Sequence, residues 1–147
     1  MSQYGVVSDF ILSMEIEAVQ PSERCSGLVI VFGYQNESNF YFLNLVGQGG
    51  VWDGGLFQVT PGGVVKVPEQ FSVSSMELNS CHLLKLERQV TTGNVRFYLD
   101  DKDRPVLAFV DSTFQWGEVG LGLHHDTALK REPEIKAVRA SRLSPNE

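Results

Sequence analysis

The sequence predicts an all-β protein, an antiparallel sandwich or barrel, and three observations support this. Apolar and polar residues alternate with a period of two along most of the 147 residues, which is typical of strands with one buried face. Clusters of Gly, Pro, Asn and Asp separate these segments at short intervals, as turns do. No stretch combines a helical period with capping residues. We therefore expect one domain, residues 1–147, built from short antiparallel strands.

The individual strands follow from this pattern in chain order. Residues 10–18 have one apolar and one largely polar face, as expected of a half-buried strand. Two segments, 26–34 and 40–46, are apolar on both faces, which is typical of central strands covered on both sides. The remaining strands are predicted at residues 56–60, 64–67, 81–89, 95–99, 106–110, 118–123 and 135–143. The side chains expected between the sheets include Leu12, Ile16, Phe97, Leu99, Val119 and Leu121.

Charge and composition exclude several classes of partner. The chain has 12 Lys and Arg against 18 Asp and Glu, a net charge of -6, whereas nucleic acids and anionic membranes require clustered positive charge. No apolar segment has the length of a transmembrane helix, and the N-terminus lacks the pattern of a signal peptide. The chain is then cytosolic, or a mature region cut from a longer secreted protein. Cys25 and Cys81 begin apolar runs, so we expect two free core thiols, with a disulfide as the alternative.

Two parts of the chain resemble the concanavalin A-like (laminin G-like) jelly-roll superfamily. In the C-terminal half, the superfamily pattern D-x-x-F-x-x-G-x-V-G-L corresponds to Asp111, Phe114, Gly117, Val119, Gly120 and Leu121. In the N-terminal half, the segments DFILSMEIEAV, CSGLVIVFGYQ and NFYFLNL resemble the same superfamily. The resemblance implies two packed antiparallel sheets, one of them concave and able to hold an oligosaccharide.

Four departures from the superfamily limit what the resemblance implies about activity. Many relatives have a strand before the DF-x-L segment, and almost nothing precedes it here. Their closing strand often begins with Phe-Asp-Asn, which helps to bind structural calcium, but residues 129–133 read LKREP, so we expect no required calcium. The Glu-x-Asp-x-x-Glu strand of retaining glucanases, with its two-carboxylate chemistry, is absent. Bacterial 3-keto-disaccharide hydrolases are matched through Glu15 and Ser26-Gly27, but residues 40–44 read FYFLN where they have a Glu-x-Gln strand.

Four polar or aromatic residues are candidates for contacting a sugar, each with an alternative. Arg96 and Tyr98 share the outward face of their strand, where Tyr offers a stacking surface and Arg offers donors; the alternative is an ordinary cross-strand pair. Glu15 is a hydroxyl-binding or acid/base carboxylate, or else a solvated charge. Trp52, in the glycine-rich segment GGVWDGG, is a sugar platform on a loop tip or a lid on the core.

The segment GEVGLGLHHD offers either a metal site or a ligand site. Adjacent histidines on a strand project to opposite faces, so His124 and His125 do not converge on one ion, and no metal is expected. Gly120 and Gly122 leave one strand face without side chains, and glycine in a strand often marks the close approach of a ligand. His124 is then expected at the end of this bare lane, on the same outer face as the other candidates.

These observations favour a non-catalytic carbohydrate-binding module that holds an oligosaccharide or polysaccharide on the concave sheet face. The first alternative is a glycoside hydrolase, or a fragment of one, of the same superfamily, which requires converging carboxylates in one cleft. The second is a protein-interaction domain of the laminin G type. We expect no catalytic residue and no cofactor. The resemblance implies an extracellular or cell-envelope location if the chain is part of a longer protein.

Overall fold

The computed structural model describes residues 2–18, 26–48, 51–73, 81–100, 103–123, 127–129 and 133–137. Within these ranges the chain forms twelve β-strands and no helix. The strands are β1 (Ser2–Val7), β2 (Phe10–Ala18), β3 (Ser26–Asn36), β4 (Asn39–Gln48), β5 (Val51–Thr60), β6 (Gly63–Val73), β7 (Cys81–Gln89), β8 (Asn94–Leu99), β9 (Leu107–Val110), β10 (Gly117–Leu123), β11 (Thr127–Leu129) and β12 (Glu134–Ala137).

The strands pair into two sheets that pack face to face. Sheet A has the order β1-β10-β3-β4-β5-β6, and sheet B has the order β11-β2-β7-β8-β9, with β12 also pairing with β2. Every pairing is antiparallel. Aromatic rings meet across the interface: the centroids of Phe10 and Phe32 lie 6.2 Å apart, and those of Phe71 and Phe97 lie 5.7 Å apart. These contacts confirm the predicted sandwich.

The predicted core and most predicted strands are confirmed. Leu12, Ile16, Phe97, Leu99, Val119 and Leu121 are all buried in one cluster between the sheets. The bounds of β2 and β7 agree with the prediction, whereas β5 and β6 extend well beyond the predicted 56–60 and 64–67 because the strands continue through glycine and proline positions. Of the predicted strand at 135–143, the structure describes β12 and places nothing beyond residue 137.

Two expectations about the strands were wrong. A strand, β1, does precede the segment that begins at Phe10; it has six residues and pairs with β10 at the edge of sheet A. The central strands β3 and β4 are not covered on both sides. On β4, Tyr41 and Leu43 are buried in the core, but Phe40 and Phe42 on the opposite face are only half-buried. The apolar residues of that face belong to a partly exposed surface.

A buried arginine joins the two sheets at one end of the sandwich. The side chain of Arg88 lies on the core side of β7 and only 2% of the residue is exposed. Its Nη1 donates to the carbonyl oxygens of Gly93 (3.0 Å) and Asp111 (2.7 Å), and its Nη2 donates to that of Phe114 (2.8 Å). The guanidinium also lies 5.3 Å from the ring centroid of Tyr41 in sheet A. We call Arg88, Tyr41, Asp111 and Phe114 the Arg88 network.

The remaining polar atoms of the Arg88 network satisfy one another. The hydroxyl of Tyr41 donates to the carboxylate of Asp111 and accepts a hydrogen bond of 3.2 Å from the backbone nitrogen of Phe114. The backbone nitrogen of Thr113 donates to Asp111 Oδ1 at 2.8 Å. The aspartate and phenylalanine of the superfamily pattern therefore fix the segment that crosses from β9 in sheet B to β10 in sheet A. The glycine of the pattern, Gly117, allows close approach, since a Cβ there would lie 2.3 Å from the backbone of Gly33.

The Arg88 network shifts the pKa values of its members. Burial, helped by the hydrogen bond to Asp111, raises the pKa of the Tyr41 hydroxyl to about 12. Burial also acts to raise the pKa of Asp111, but hydrogen bonds from Tyr41 and Thr113 and the positive charge of Arg88 outweigh it. The pKa of Asp111 therefore lies below its ordinary value of 3.8. The folded state thus favours the ionised carboxylate.

We expect Arg88→Ala to lower the free energy of unfolding by about 3–5 kcal/mol, because three carbonyl oxygens lose their donor and the half-buried carboxylate of Asp111 loses a nearby positive charge. Urea denaturation measures the change. The matched control is Arg96→Ala: that side chain is 41% exposed and lies 3.7 Å from Glu87, so its loss should cost less than about 1 kcal/mol. Equal effects of the two substitutions would contradict the role of the Arg88 network.

We expect Asp111→Asn to destabilise the protein at neutral pH and much less in acid. A carboxyl whose pKa is lowered on folding stabilises the folded state above its unfolded pKa, here 3.8. That stabilisation is lost as the pH falls through the lower folded value. The difference in free energy of unfolding between the parent and Asp111→Asn should therefore narrow below pH 3.8. Urea denaturation at several pH values checks this, and a difference that stays constant in acid would contradict it.

Candidate functional site

The outer face of sheet A, the face turned away from sheet B, carries side chains in rows that cross the strands. The Asn44 row consists of Gly122, Val29, Asn44, Gly55 and Gln70. The Phe42 row, which lies beside it, consists of Gly120, Val31, Phe42, Phe57 and Lys66. The Phe40 row, which comes next, consists of Phe40, Val59 and Val64. The rows therefore change from polar to apolar along the strands.

An open depression of about 500 Å³ lies over β4, β5 and β6. It is lined by Asn44, Val46, Asp53, Gly54, Gly55, Phe57, Gln70 and Phe71. Three of these side chains, Asn44, Asp53 and Gln70, carry amide or carboxylate oxygens, and Asp53 supplies the one charge among the described lining residues. The depression therefore combines hydrogen-bonding groups with an aromatic wall, as ligand sites commonly do.

A pair of glycines in β5 shapes the depression. A Cβ at Gly55 would lie 2.4–2.7 Å from the side-chain amide of Gln70, so that amide rests directly on the strand backbone. A Cβ at Gly54 would lie 2.2 Å from the ring of Phe71 and 2.6 Å from the backbone oxygen of Asn44. The register between β5 and β6 shifts just beyond Gly55. The sequence Gly54-Gly55 therefore lets an amide and an aromatic ring approach the strand closely.

Four aromatic rings continue from the depression across the outer face of sheet A; we call Tyr34, Phe40, Phe42 and Phe57 the aromatic strip. Phe42 and Phe57 stack with their centroids 4.7 Å apart and 10° between their planes. The centroids of Phe40 and Phe42 lie 6.3 Å apart, and those of Tyr34 and Phe40 lie 5.4 Å apart. All four residues are half-buried. Phe57 belongs both to the aromatic strip and to the wall of the depression.

Three of the predicted sugar-contacting residues lie on the other side of the molecule. Glu15, Arg96 and Tyr98 share the outer face of sheet B, as their strand alternation predicts. Arg96 Nη1 lies 3.7 Å from Glu87 Oε1, and Lys85 Nζ lies 4.1 Å from the ring centroid of Tyr98. Both contacts join paired residues of β7 and β8, as expected if Arg96 and Tyr98 form ordinary cross-strand pairs. Whether any of the three binds a sugar stays a prediction.

The predicted single ligand face is therefore wrong, because its members belong to two sheets. Gly122 lies on the outer face of sheet A, with nothing within 4 Å of a Cβ built there, so that end of the bare lane is open. Gly120 is buried. Gly122 belongs to the Asn44 row, which leads across sheet A to the depression. Arg96 and Tyr98 lie on the opposite side of the sandwich. Alternation along a strand gives the face of that strand, but it does not give the sheet to which the strand belongs.

The other predicted residues are described only in part. Trp52 lies within β5, paired with Gly47, and not on the expected loop; its side chain is not described. His124 and Cys25 lie outside the described residues. Cys81 is free and exposed on the outer face of sheet B, so the expectation that it is a core thiol was wrong. It occupies an outward position of β7, whereas its neighbour His82 faces the core.

The described residues contain neither a cluster of metal ligands nor a membrane-spanning helix. Among them, no three His, Cys, Asp or Glu side chains converge as metal ligands would. They also include no helix that is long and apolar enough to span a membrane.

The residues of the depression were missed at the level of the sequence. Asn44 carried the available signal, because it alternates with core residues in FYFLNL and stands on the same face as Phe40 and Phe42. An amide on this face of the strand indicates that the face is open to water and not packed under another sheet. Gln70 gave no signal, since it joins Asn44 only through the register of three strands and the irregularity in β6.

Comparisons with known proteins identify the fold. No protein-family model and no curated protein matches the chain. Among solved structures, the carbohydrate-binding module CBM66 from Bacillus subtilis has a TM-score of 0.58 and 20% identity, over 90% of this chain and 74% of its own. A variant of human galectin-16 has a TM-score of 0.62 and 8% identity, over 92% of this chain and 93% of its own. A GH43 protein from Bacillus licheniformis has a TM-score of 0.53 and 13% identity, over 81% of this chain and 24% of its own.

These structures are jelly-roll sandwiches, and the chain has the same fold. The fold that the sequence resemblance implies is thereby confirmed. The similarity extends over 81–92% of this chain.

We expect Gly54→Ala to destabilise the protein more than Gly55→Ala. The new methyl group at residue 54 meets a backbone oxygen and a packed ring, which should cost about 1–3 kcal/mol. At residue 55 it meets the end of the flexible Gln70 side chain, which can move, so the cost should be about 0.5 kcal/mol or less. Thermal and urea denaturation of both variants check the order, and a reversed order would contradict the described packing.

Proposed function

We propose that the protein binds a carbohydrate, without catalysing a reaction, in the depression over β4, β5 and β6. The observation that carries this proposal is the convergence of Asn44, Asp53 and Gln70 beside Phe57 in one open depression. A sugar has hydroxyl groups around its rim and apolar C–H surface on its ring faces. A site with planar amides, a carboxylate and an aromatic wall suits both parts of such a ligand.

The polar groups are chemically suited to hydroxyl groups. The amide groups of Asn44 and Gln70 contain donors and an acceptor, and the Asp53 carboxylate accepts. Gln70 Nε2 donates to the carbonyl oxygen of Val67 at 3.3 Å, so a sugar hydroxyl adds to that contact or replaces it. Because the depression is open to water, each hydrogen bond should add only about 0.5–1.5 kcal/mol to the binding free energy. We therefore expect a modest affinity, in the range of about micromolar to millimolar.

The charge of the depression favours a neutral glycan. Asp53 is the charged residue among the described lining, and the chain as a whole has a net charge of -6. Sulfated sugars and uronic acids would bring like charges together, which lowers affinity. Glycans without acidic groups are the expected ligands.

The solved structures of the same fold lend support at the level of ligand class. Their names include a carbohydrate-binding module and galectins. The GH43 protein raises the alternative of hydrolysis. Glycoside hydrolysis by the common mechanism requires a pair of carboxyl groups about 5–9.5 Å apart across the scissile bond. The described lining of the depression has a single carboxylate, that of Asp53, so binding is favoured over cleavage.

A glycan array followed by isothermal titration calorimetry tests the proposal. We expect Asn44→Ala and Gln70→Ala each to weaken binding of the glycan identified on the array by about twofold to tenfold, the effect of one lost hydrogen bond. Sulfated glycans on the same array should give no signal.

The matched controls lie on the outer face of sheet B. Arg96→Ala and Tyr98→Phe should leave the affinity unchanged. If these two weaken binding and the Asn44 and Gln70 variants do not, the sugar binds on sheet B and the proposed site is wrong. If the array gives no hit, carbohydrate binding itself is contradicted.

A further inference from the structure

The aromatic strip offers a ligand a different chemistry from that of the depression. Phe42 and Phe57 are nearly parallel and in contact, so each ring covers one face of the other. A sugar ring stacks on an open aromatic face, and the stacked pair has already used two of its four faces. An alkyl group has no such requirement, since its binding depends only on the apolar surface removed from water. The aromatic strip therefore suits an aliphatic group better than a second sugar.

Amide side chains give way to apolar ones along the strands from the depression. The Asn44 row carries two amides, the Phe42 row carries two rings and, at its β6 end, the exposed Lys66, and the Phe40 row is apolar, with Val64 63% exposed. Successive rows on one face lie about 6.6 Å apart, twice the rise per residue of a strand. The outer face of sheet A is thus itself amphipathic over a distance that one ligand molecule can span.

We propose that the ligand is an amphipathic glycoside, in which the sugar occupies the depression and an attached alkyl or acyl group lies along the aromatic strip. This inference rests on the proposed function, and Phe57 connects the two surfaces because it lines the depression and ends the strip. Charged residues flank the strip at its two ends: Lys66 pairs with Phe57, and Glu118 pairs with Tyr34. An uncharged chain fits between them.

The width of the aromatic strip argues against a second copy of the protein as its occupant. A specific protein interface buries about 800 Å² on each partner, and the strip is a single line of half-buried rings between charged residues. A flexible chain attached to a bound sugar needs no more than such a line. Attachment to the sugar also favours binding of the chain, because the bound sugar raises the effective concentration of the chain next to the strip.

Calorimetry with paired probes tests the inference. The probes are the methyl glycoside and the octyl glycoside of the glycan found on the array, the latter used below its critical micelle concentration. We expect the parent protein to bind the octyl glycoside at least about tenfold more tightly, since burial of two methylene groups is worth roughly that factor. Phe40→Ser should abolish this gain and leave the affinity for the methyl glycoside within about twofold, because Phe40 does not line the depression.

Two further variants provide a second test of the strip and a control. Phe42→Ser removes a second ring of the strip that does not line the depression, so it reports on the strip even if Phe40→Ser fails to fold. Leu83→Ser, at a 46% exposed position on the outer face of sheet B, is the matched control and should keep the full gain. Equal reduction of the gain by Leu83→Ser would mean non-specific adsorption and would overturn the inference.

The outcomes separate the two proposals. If the parent binds both glycosides equally, the amphipathic ligand is wrong and carbohydrate binding stands. If it binds neither, both are wrong. If light scattering shows that Phe40→Ser and Phe42→Ser lower the mass of the protein in solution, the strip is an interface between copies, and the inference is overturned.

Discussion

The buried guanidinium of Arg88 is the interaction on which the rest of the structure depends. It holds the carbonyl oxygens of residues 93, 111 and 114 in place and lies against a ring of the opposite sheet. The crossing from β9 to β10 passes through this point. Because β10 lies between β1 and β3, the network fixes the strand that joins this edge of sheet A to the rest of the sheet.

The candidate site is made by strands and not by loops. Its polar groups project from three paired strands, and Gly55 leaves room between them because it has no side chain. Such a site has little freedom to change shape, because its backbone is held by the hydrogen bonds of the sheet. Recognition then depends on fixed spacing: a ligand must match the distance between strands in one direction and the distance between rows in the other.

The sequence was sufficient for the strands and the core and insufficient for the site, and the reason is physical. Period-two alternation is a local property, so it identified Leu12, Phe97 and Val119 as buried. Alternation does not show to which of the two sheets an outward-facing residue belongs. Arg96 and Gly122 were therefore assigned to one face, although Arg96 lies on the outer face of sheet B and Gly122 on the outer face of sheet A. Asn44 and Gln70 come to lie in one row because both pair with Gly55 of β5, and the register between β5 and β6 shifts just beyond this residue. That information is not present in either segment alone.

Cys81 has a practical consequence. Its thiol is free and exposed at the end of β7, on the outer face of sheet B, and so on the opposite side of the sandwich from the depression. Once Cys25 is replaced, a maleimide fluorophore or a surface linker attached at this thiol would leave the outer face of sheet A uncovered. The protein thus carries its own attachment point for oriented immobilisation, with the candidate sugar-binding depression facing the solution.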